Sequence, residues 1–302
     1  MPRITTRRWF PLVWAVPAGV VLVIAAVLVT RALRDAGVFD DFLRQYPGDS
    51  ALPPGAPVGF PAWLAWQHAL NTFFLVFIAR SGLRIRSKRR PPAFVTPRRP
   101  RLGRLSLHVW WHLVVDTLWA LNGLLFYVLI FTTGQWTRIV PVHWDVVPNA
   151  VSAGIQYLSF DWPVAHGWVN YNGLQLLAYS ATVFIAAPLA LVTGLRLSPL
   201  WPRAWARGER LARSVHFWVF VYFIVFTIGH VTLVFATGAL QNLNHMYGGR
   251  DDQSWVGAII FAIAFAVMVA GWVLLREPLQ ARIARLGADV RLLPPPPSDG
   301  RG

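Results

Sequence analysis

Six stretches of this chain are long and apolar enough to span a bilayer: residues 10–30, 62–82, 107–131, 172–195, 214–238 and 254–275. A hydrocarbon layer of about 30 Å needs roughly 20 apolar residues in helical form, and each stretch supplies them. The third and fifth are long, with room to tilt or to extend past the lipid. Only 14% of the 302 residues are charged and 55% are hydrophobic, whereas a soluble domain carries about a quarter charged residues. Mean hydropathy is +0.46. The fold class this predicts is all-α, a polytopic membrane protein with six transmembrane helices. No interval of about 20–50 residues repeats, which argues against a repeat architecture.

The net charge of +15 raises the question of nucleic acid, but the charge is sorted by loop. Arg3, Arg7 and Arg8 precede the first span. Arg80, Arg84, Arg86, Lys88, Arg89, Arg90, Arg98, Arg99, Arg101 and Arg104 cluster between the second and third, with no acid from Gly82 to Arg104. Arg196, Arg203, Arg207, Arg210 and Arg213 separate the fourth and fifth. The alternate loops hold Asp35, Asp40, Asp41 and Asp49, then Asp145 and Asp161, then Asp251 and Asp252. The positive-inside rule then puts both termini in the cytoplasm and lets every span alternate without conflict. The basic charge is a topology signal, and no nucleic-acid partner is expected.

The first apolar run, within residues 1–34, is about twenty residues long, too long for a signal h-region, and no small-x-small site follows it. It reads as a retained transmembrane anchor rather than a signal peptide or a twin-arginine leader. At the other end, Pro294 to Pro297 and the polar residues after them suggest that 276–302 is a cytoplasmic, disordered tail. Residues 132–170 form a long outer loop with Trp136, Trp144, Trp162 and Trp168 and with Pro141, Pro148 and Pro163. Tryptophan at this depth belongs first to the interfacial belt, and a loop this long is usually functional. It is the expected docking surface, and the part around Ala150 to Phe160 is expected to lie as an interfacial helix.

The chain has no cysteine. Disulfides, covalent c-type haem attachment and thiolate-held iron–sulfur clusters are therefore excluded. Its three methionines, Met1, Met246 and Met268, are poorly placed as axial ligands, which leaves histidine. His143, His166 and His245 fall in outer loops, while His68, His108, His112, His216 and His230 fall in spans, with Asp116 the main acid among them. His216 and His230 are fourteen residues apart, which returns the side chain to within roughly 40° of one helix face about 21 Å further along. Ionisable side chains at membrane depth are costly and commonly functional.

The topology gives each histidine a depth. His68 and His230 share the outer half, and His216 lies near the cytoplasmic side with His108 and His112. Each level suits a cofactor clamped between two helices of a bundle, and two stacked haems meet that description. An intramembrane histidine can instead be a helix–helix hydrogen-bonding residue, worth about 1 kcal/mol. Only one of His108 and His112 is needed. Depth symmetry with His216 favours His108, whereas His112 lies deeper and has Asp116 one turn on to orient its ring or a neighbouring ligand's; His112 is the preferred ligand. Asn170, Asn172 and Gln175 enter the fourth span as a polar cluster, read as a helix cap ahead of a quinone contact.

The second span reads W-Q-H-A-L-N-T-F-F-L-V-F-I-A-R-S-G-L from Trp66 to Leu83. The fifth carries Arg213, His216, His230 and Val231, followed by Thr237-Gly238 and Met246-Tyr247-Gly248. These patterns resemble the di-haem cytochrome b subunits of membrane-bound formate dehydrogenases, Ni-Fe hydrogenases and thiosulfate reductases, the thiosulfate-reductase type above all. The resemblance covers about residues 62–250 and implies a four-helix haem-binding bundle made by 62–82, 107–131, 172–195 and 214–238, with 254–275 as a sixth helix. It implies two non-covalent haem b groups, one held by His68 and His230 and the other by His112 and His216. It further implies a bacterial-type plasma membrane location, reaction with quinone, and an extracytoplasmic, molybdopterin-type oxidoreductase as partner.

The chain departs from that family in two ways. An extra N-terminal span inverts the core relative to the formate dehydrogenase type, so the roles of the two haems cannot be copied across, and the fourth span has no histidine. The function expected is electron transfer between the quinone pool and the partner, as a subunit rather than a stand-alone enzyme. A transmembrane ferric or cupric reductase, or a non-haem transporter or assembly factor, are the alternatives.

Overall fold

A computed structural model describes residues 10–87, 90–98, 103–162, 167–202 and 207–294. Arg3, Arg7, Arg8, Lys88, Arg89, Arg99, Arg101, Pro163, His166, Arg203 and the tail beyond Pro294 lie outside the described residues. The chain is all-α, and six of its helices are long and apolar enough to cross a membrane, as in a multi-pass membrane protein. Hydrocarbon offers no hydrogen-bonding partner, so a spanning backbone must satisfy its own N–H and C=O groups, and a helix does so within one segment. Contacts divide the chain into two compact units, Met1–Pro57 with Trp136–Ser180, and Val58–Gln135 with Ala181–Gly302.

In the first unit α1 (Phe10–Asp35) is followed by the short α2 (Asp40–Gln45), and the expected interfacial helix is α5 (Val146–Leu158). α1 packs on α5, and Arg34 pairs with Asp161. α5 buries Val146, Asn149, Ala150, Ser152 and Ala153, while Trp144 before it and Val147, Val151 and Leu158 along it stay exposed. Spacings of three, four and seven put those exposed residues along one stripe. Asn149 ties the unit together: its Oδ1 accepts from Gly48 N at 3.0 Å and its Nδ2 donates to Asp145 O at 2.9 Å.

The second unit contains α3 (Ala62–Ser87), α4 (Leu107–Thr132), α7 (Ala187–Leu197), α8 (Glu209–Ala236) and α10 (Val256–Leu274). Short α9 (Ala239–Leu243) precedes a wide π turn at Asn244–Gly248. Ser106 caps α4, its hydroxyl accepting from Val109 N at 3.3 Å. The fourth span begins as α6 (Gly173–Ala181) and passes through a π turn at Thr182–Ala186 into α7. Pro188 sits in the first turn of α7; it has no N–H to donate to the preceding turn, and a widened turn absorbs that loss. α8 starts at Glu209, five residues before the expected 214, because Gly208 at φ 83° turns the chain into it.

Residues 276–302 were expected as a disordered tail, and this is corrected for 277–292. They form α11 (Glu277–Arg285) and β3 (Ala288–Leu292). β3 runs antiparallel to β1 (Ala93–Pro97), which also pairs with β2 (Leu105–Ser106), in the order β2-β1-β3. Ala93 and Val95 alternate inward and meet Ala281, Ala284 and Ala288, with Leu107 closing the cluster. The arginine-rich loop and the C-terminal segment thus supply partners to each other, so neither shows a complete folding signal alone.

Candidate histidine sites

His68 stands two turns into α3 and His230 two turns before the end of α8, and their ring centres are 6.1 Å apart. Two imidazoles on opposite sides of one metal, each bonded at about 2 Å, have ring centres roughly 6 Å apart, so this pair has the separation a shared iron needs. Phe226, one turn earlier on α8, stacks on His230 at 5.6 Å and 8°. Tyr247 reaches His68 from the π turn after α9, its hydroxyl 3.2 Å from Nδ1. That contact orients one imidazole nitrogen and leaves Nε2 for a ligand.

His112 on α4 and His216 on α8 make the second candidate pair, near the start of each helix. They lie close enough to interact electrostatically. Each is held by a hydroxyl from an adjacent helix. Ser81 Oγ is 2.7 Å from His112 Nδ1 and bonds Phe77 O at 2.8 Å. Thr193 Oγ1 is 2.9 Å from His216 Nδ1 and bonds Leu189 O at 2.5 Å.

A hydroxyl has one proton to give, and in each case it goes to a carbonyl of its own helix. With its proton on that carbonyl, the hydroxyl oxygen is free to accept from an imidazole Nδ1–H, the tautomer that would leave Nε2 open to a ligand. A glycine follows each hydroxyl: a Cβ on Gly82 would lie 3.5 Å from His112 Cε1, and one on Gly194 would lie 3.5 Å from His216 Cε1. The imidazole edges therefore rest against bare backbone.

Ser81 falls in the second-span pattern without a role assigned to it and Thr193 was not singled out, though a signal was there. Ser81-Gly82-Leu83-Arg84 and Thr193-Gly194-Leu195-Arg196 are one pattern occurring twice. Asp116, expected to orient the ring of His112 or of a neighbouring ligand, has its Oδ2 3.5 Å from His112 Nε2, while Ser81 holds Nδ1. His108 points elsewhere: it is buried, with Nε2 3.6 Å from Glu277 Oε1 of α11. Among the described residues no group of three or more His, Cys, Asp or Glu converges as a protein-only ion site would require.

Tyr247 is positioned by a loop built around Asn244, which is fully buried. The Asn244 Nδ2 donates to Ser254 O at 2.6 Å and Asp252 O at 2.9 Å, and its Oδ1 accepts from Gly257 N at 2.5 Å. Beside it His245 stacks on Phe60 at 5.9 Å and bonds Asp251 at 2.7 Å. The hydrogen bonds from His245 and then Gln241 hold the Asp251 carboxyl below the usual carboxylate range. His245 is thus consumed by the loop, and His143 is exposed.

In the other unit the amides leading into α6 form its cap. Asn172 Oδ1 accepts from Gln175 N at 2.9 Å while Gln175 Oε1 accepts from Asn172 N at 3.1 Å, a reciprocal capping box. Asn170 Nδ2 donates to Ser50 O at 2.6 Å. Arg138, buried in the same unit, donates to Gly167 O at 2.7 Å and Trp168 O at 3.1 Å with Tyr171 below it. Burial pushes Tyr171 up to about 12, so it stays a neutral phenol beside the guanidinium. No protein-family model, no curated protein and no solved structure matches this chain.

Proposed function

We propose that this protein is a di-haem b-type cytochrome that carries electrons across a membrane, between quinone and an oxidoreductase on the far side. The observation that carries the proposal is the paired geometry: two histidine pairs along one long helix, one with ring centres 6.1 Å apart and the other with each Nδ1 against a hydroxyl of an adjacent helix. His216 and His230 are fourteen residues apart on α8, about 21 Å along its axis, so the sites stack through the hydrocarbon.

His68 and His230 would hold one haem, His112 and His216 the other. Haem held by such histidine pairs would supply one-electron transfer rather than oxygen chemistry. The protein's residues do the rest. Ser81 and Thr193 fix the imidazole tautomers, Tyr247 and Phe226 fix the other pair, and the apolar helices keep water out. The positive-inside pattern supports cytoplasmic termini, with the His68–His230 site toward the outside. The exposed stripe of Trp144, Val147, Val151 and Leu158 supports a docking surface for a partner, and a partner of the molybdopterin type rests on the sequence resemblance alone. Ferric or cupric reduction would use the same sites, and a redox partner co-purifying with the protein separates the two.

The test is a haem count and a reduced-minus-oxidised spectrum on the purified protein. Two b-type haems per chain are expected, and a haem-free protein of native fold would leave the transporter reading. A finer prediction concerns the hydroxyls. Ser81→Ala or Thr193→Val removes the acceptor of an imidazole Nδ1–H, and loss of such an outer partner weakens metal retention by about 10–100-fold. The less basic imidazole should also favour the reduced iron, raising the reduction potential of the His112–His216 haem alone. A redox titration resolving the two haems checks this; equal shifts in both would refute the assignment of those hydroxyls.

A further inference from the structure

Where α3 and α10 end and α11 begins, the second unit has an open cleft of about 520 Å³ lined by Arg80, Leu83, Arg84, Trp272 and Arg276. Arg80 lies over the Trp272 ring at 4.3 Å and donates to the Trp272 carbonyl at 2.6 Å. Arg84 is 3.7 Å from Glu277. Arg84 and Arg276 are both close enough to repel Arg80, and Glu277 is the acid that acts on it in return. Three guanidinium groups against one carboxylate leave an excess of positive charge in a small space, which is costly beside a low-dielectric layer unless an anion neutralises it. Guanidinium groups match phosphate oxygens in pairs.

The cleft also has an apolar side. Leu83 and Trp272 are 51% and 46% exposed on helices apolar enough to span. Trp272 lies in the last turn of α10, the part of a spanning helix where tryptophan commonly marks the boundary between hydrocarbon and headgroups. A small hydrated anion would use the arginines and leave this apolar side without a role. A phosphate attached to acyl chains uses both. Basic pockets between transmembrane helices are a recurring headgroup site.

We propose that this cleft binds the phosphate of an anionic membrane phospholipid, with Arg84 and Arg276 as its main ligands, Arg80 held in place by Trp272, and Leu83 and Trp272 against the glycerol and upper acyl chains. The inference does not depend on the histidine sites carrying haem.

The test is native mass spectrometry of the full-length protein, delipidated in detergent and titrated with phosphatidylglycerol, phosphatidylcholine or inorganic phosphate. One phosphatidylglycerol per chain should bind in preference to phosphatidylcholine. The double variant Arg84→Gln/Arg276→Gln should reduce that preference by roughly tenfold or more, while Arg210→Gln, away from the cleft, leaves it intact. Leu83→Glu, at an exposed position, should do the same as the double variant by setting an acid at the mouth without disturbing the Arg84–Glu277 pair. Equal binding of the two lipids, an unchanged preference in the folded Leu83→Glu variant, or inorganic phosphate displacing the lipid at equal concentration would each overturn the proposal.

Discussion

Replacing His230 with alanine is expected to halve the haem content of the purified protein, leaving the spectrum of the other haem unchanged. Each proposed site takes one histidine from α8, and the two are fourteen residues apart, about 21 Å along the helix. Perturbations that far apart with no shared partner act independently. The His68 ring, 6.1 Å from that of His230, keeps its contact with Tyr247 but loses the opposite ligand, and a single imidazole does not hold a haem between two helices against detergent. His112→Ala should remove the other haem and spare the first. His108→Ala should remove neither, since its Nε2 is beside Glu277 rather than His216. The pyridine haemochrome of each variant counts the haems, and low-temperature EPR tells which one stays six-coordinate. Haem lost from His108→Ala but not from His112→Ala would reverse the choice between them. Retention of both haems in His230→Ala would remove the basis of the cytochrome reading.

The spans and the histidine levels were legible because each depends on a short-range rule. Span length follows from apolar run length, and the relative depth of His68, His112, His216 and His230 follows from the rise per residue. What held those histidines was less legible. Ser81 and Thr193 read as ordinary helical hydroxyls bonded to the preceding turn, and they do make those bonds; their second role depends on which helix packs alongside. Tyr247 reaches His68 across 179 residues, through a π turn that has no periodic signal. Strand β3 pairs with β1 at Ala93↔Leu292 and Pro97↔Ala288, so each half of the pair lies in a segment that reads alone as loop or tail. Asn172 and Gln175 were legible as a cap because their reciprocal amide bonds lie within four residues of the helix start, whereas Asn170 bonds Ser50 O instead.

Gly257→Ala is expected to be the most destabilising single-methyl change in the second unit, and its damage should spread to one histidine site. A Cβ at Gly257, in the first turn of α10, would collide with the Leu243 carbonyl and with Asn244 Cα. Both are backbone atoms, and neither can rotate away as a side-chain tip would. Relief requires α10 to move off the Asn244–Gly248 turn, which also lengthens the bond from Gly257 N to Asn244 Oδ1. Overpacking that forces such a backbone shift costs about 1–3 kcal/mol, and a clash with backbone on both sides puts this one at the upper end. The turn that moves carries Tyr247, so the His68–His230 site should loosen first and release its haem at lower temperature, while the His112–His216 site follows only with global unfolding. Gly82→Ala is the control: its Cβ would be 3.5 Å from His112 Cε1, an ordinary contact, so stability and both haems should be kept. Melting curves followed separately at the absorption of each haem distinguish these outcomes. If Gly257→Ala melts like the parent, or both haems leave together, then the Asn244 turn does not support Tyr247 as its hydrogen bonds indicate. Loss of the first haem ahead of unfolding would tie a buried asparagine loop, silent in the sequence, to the site that α3 and α8 create.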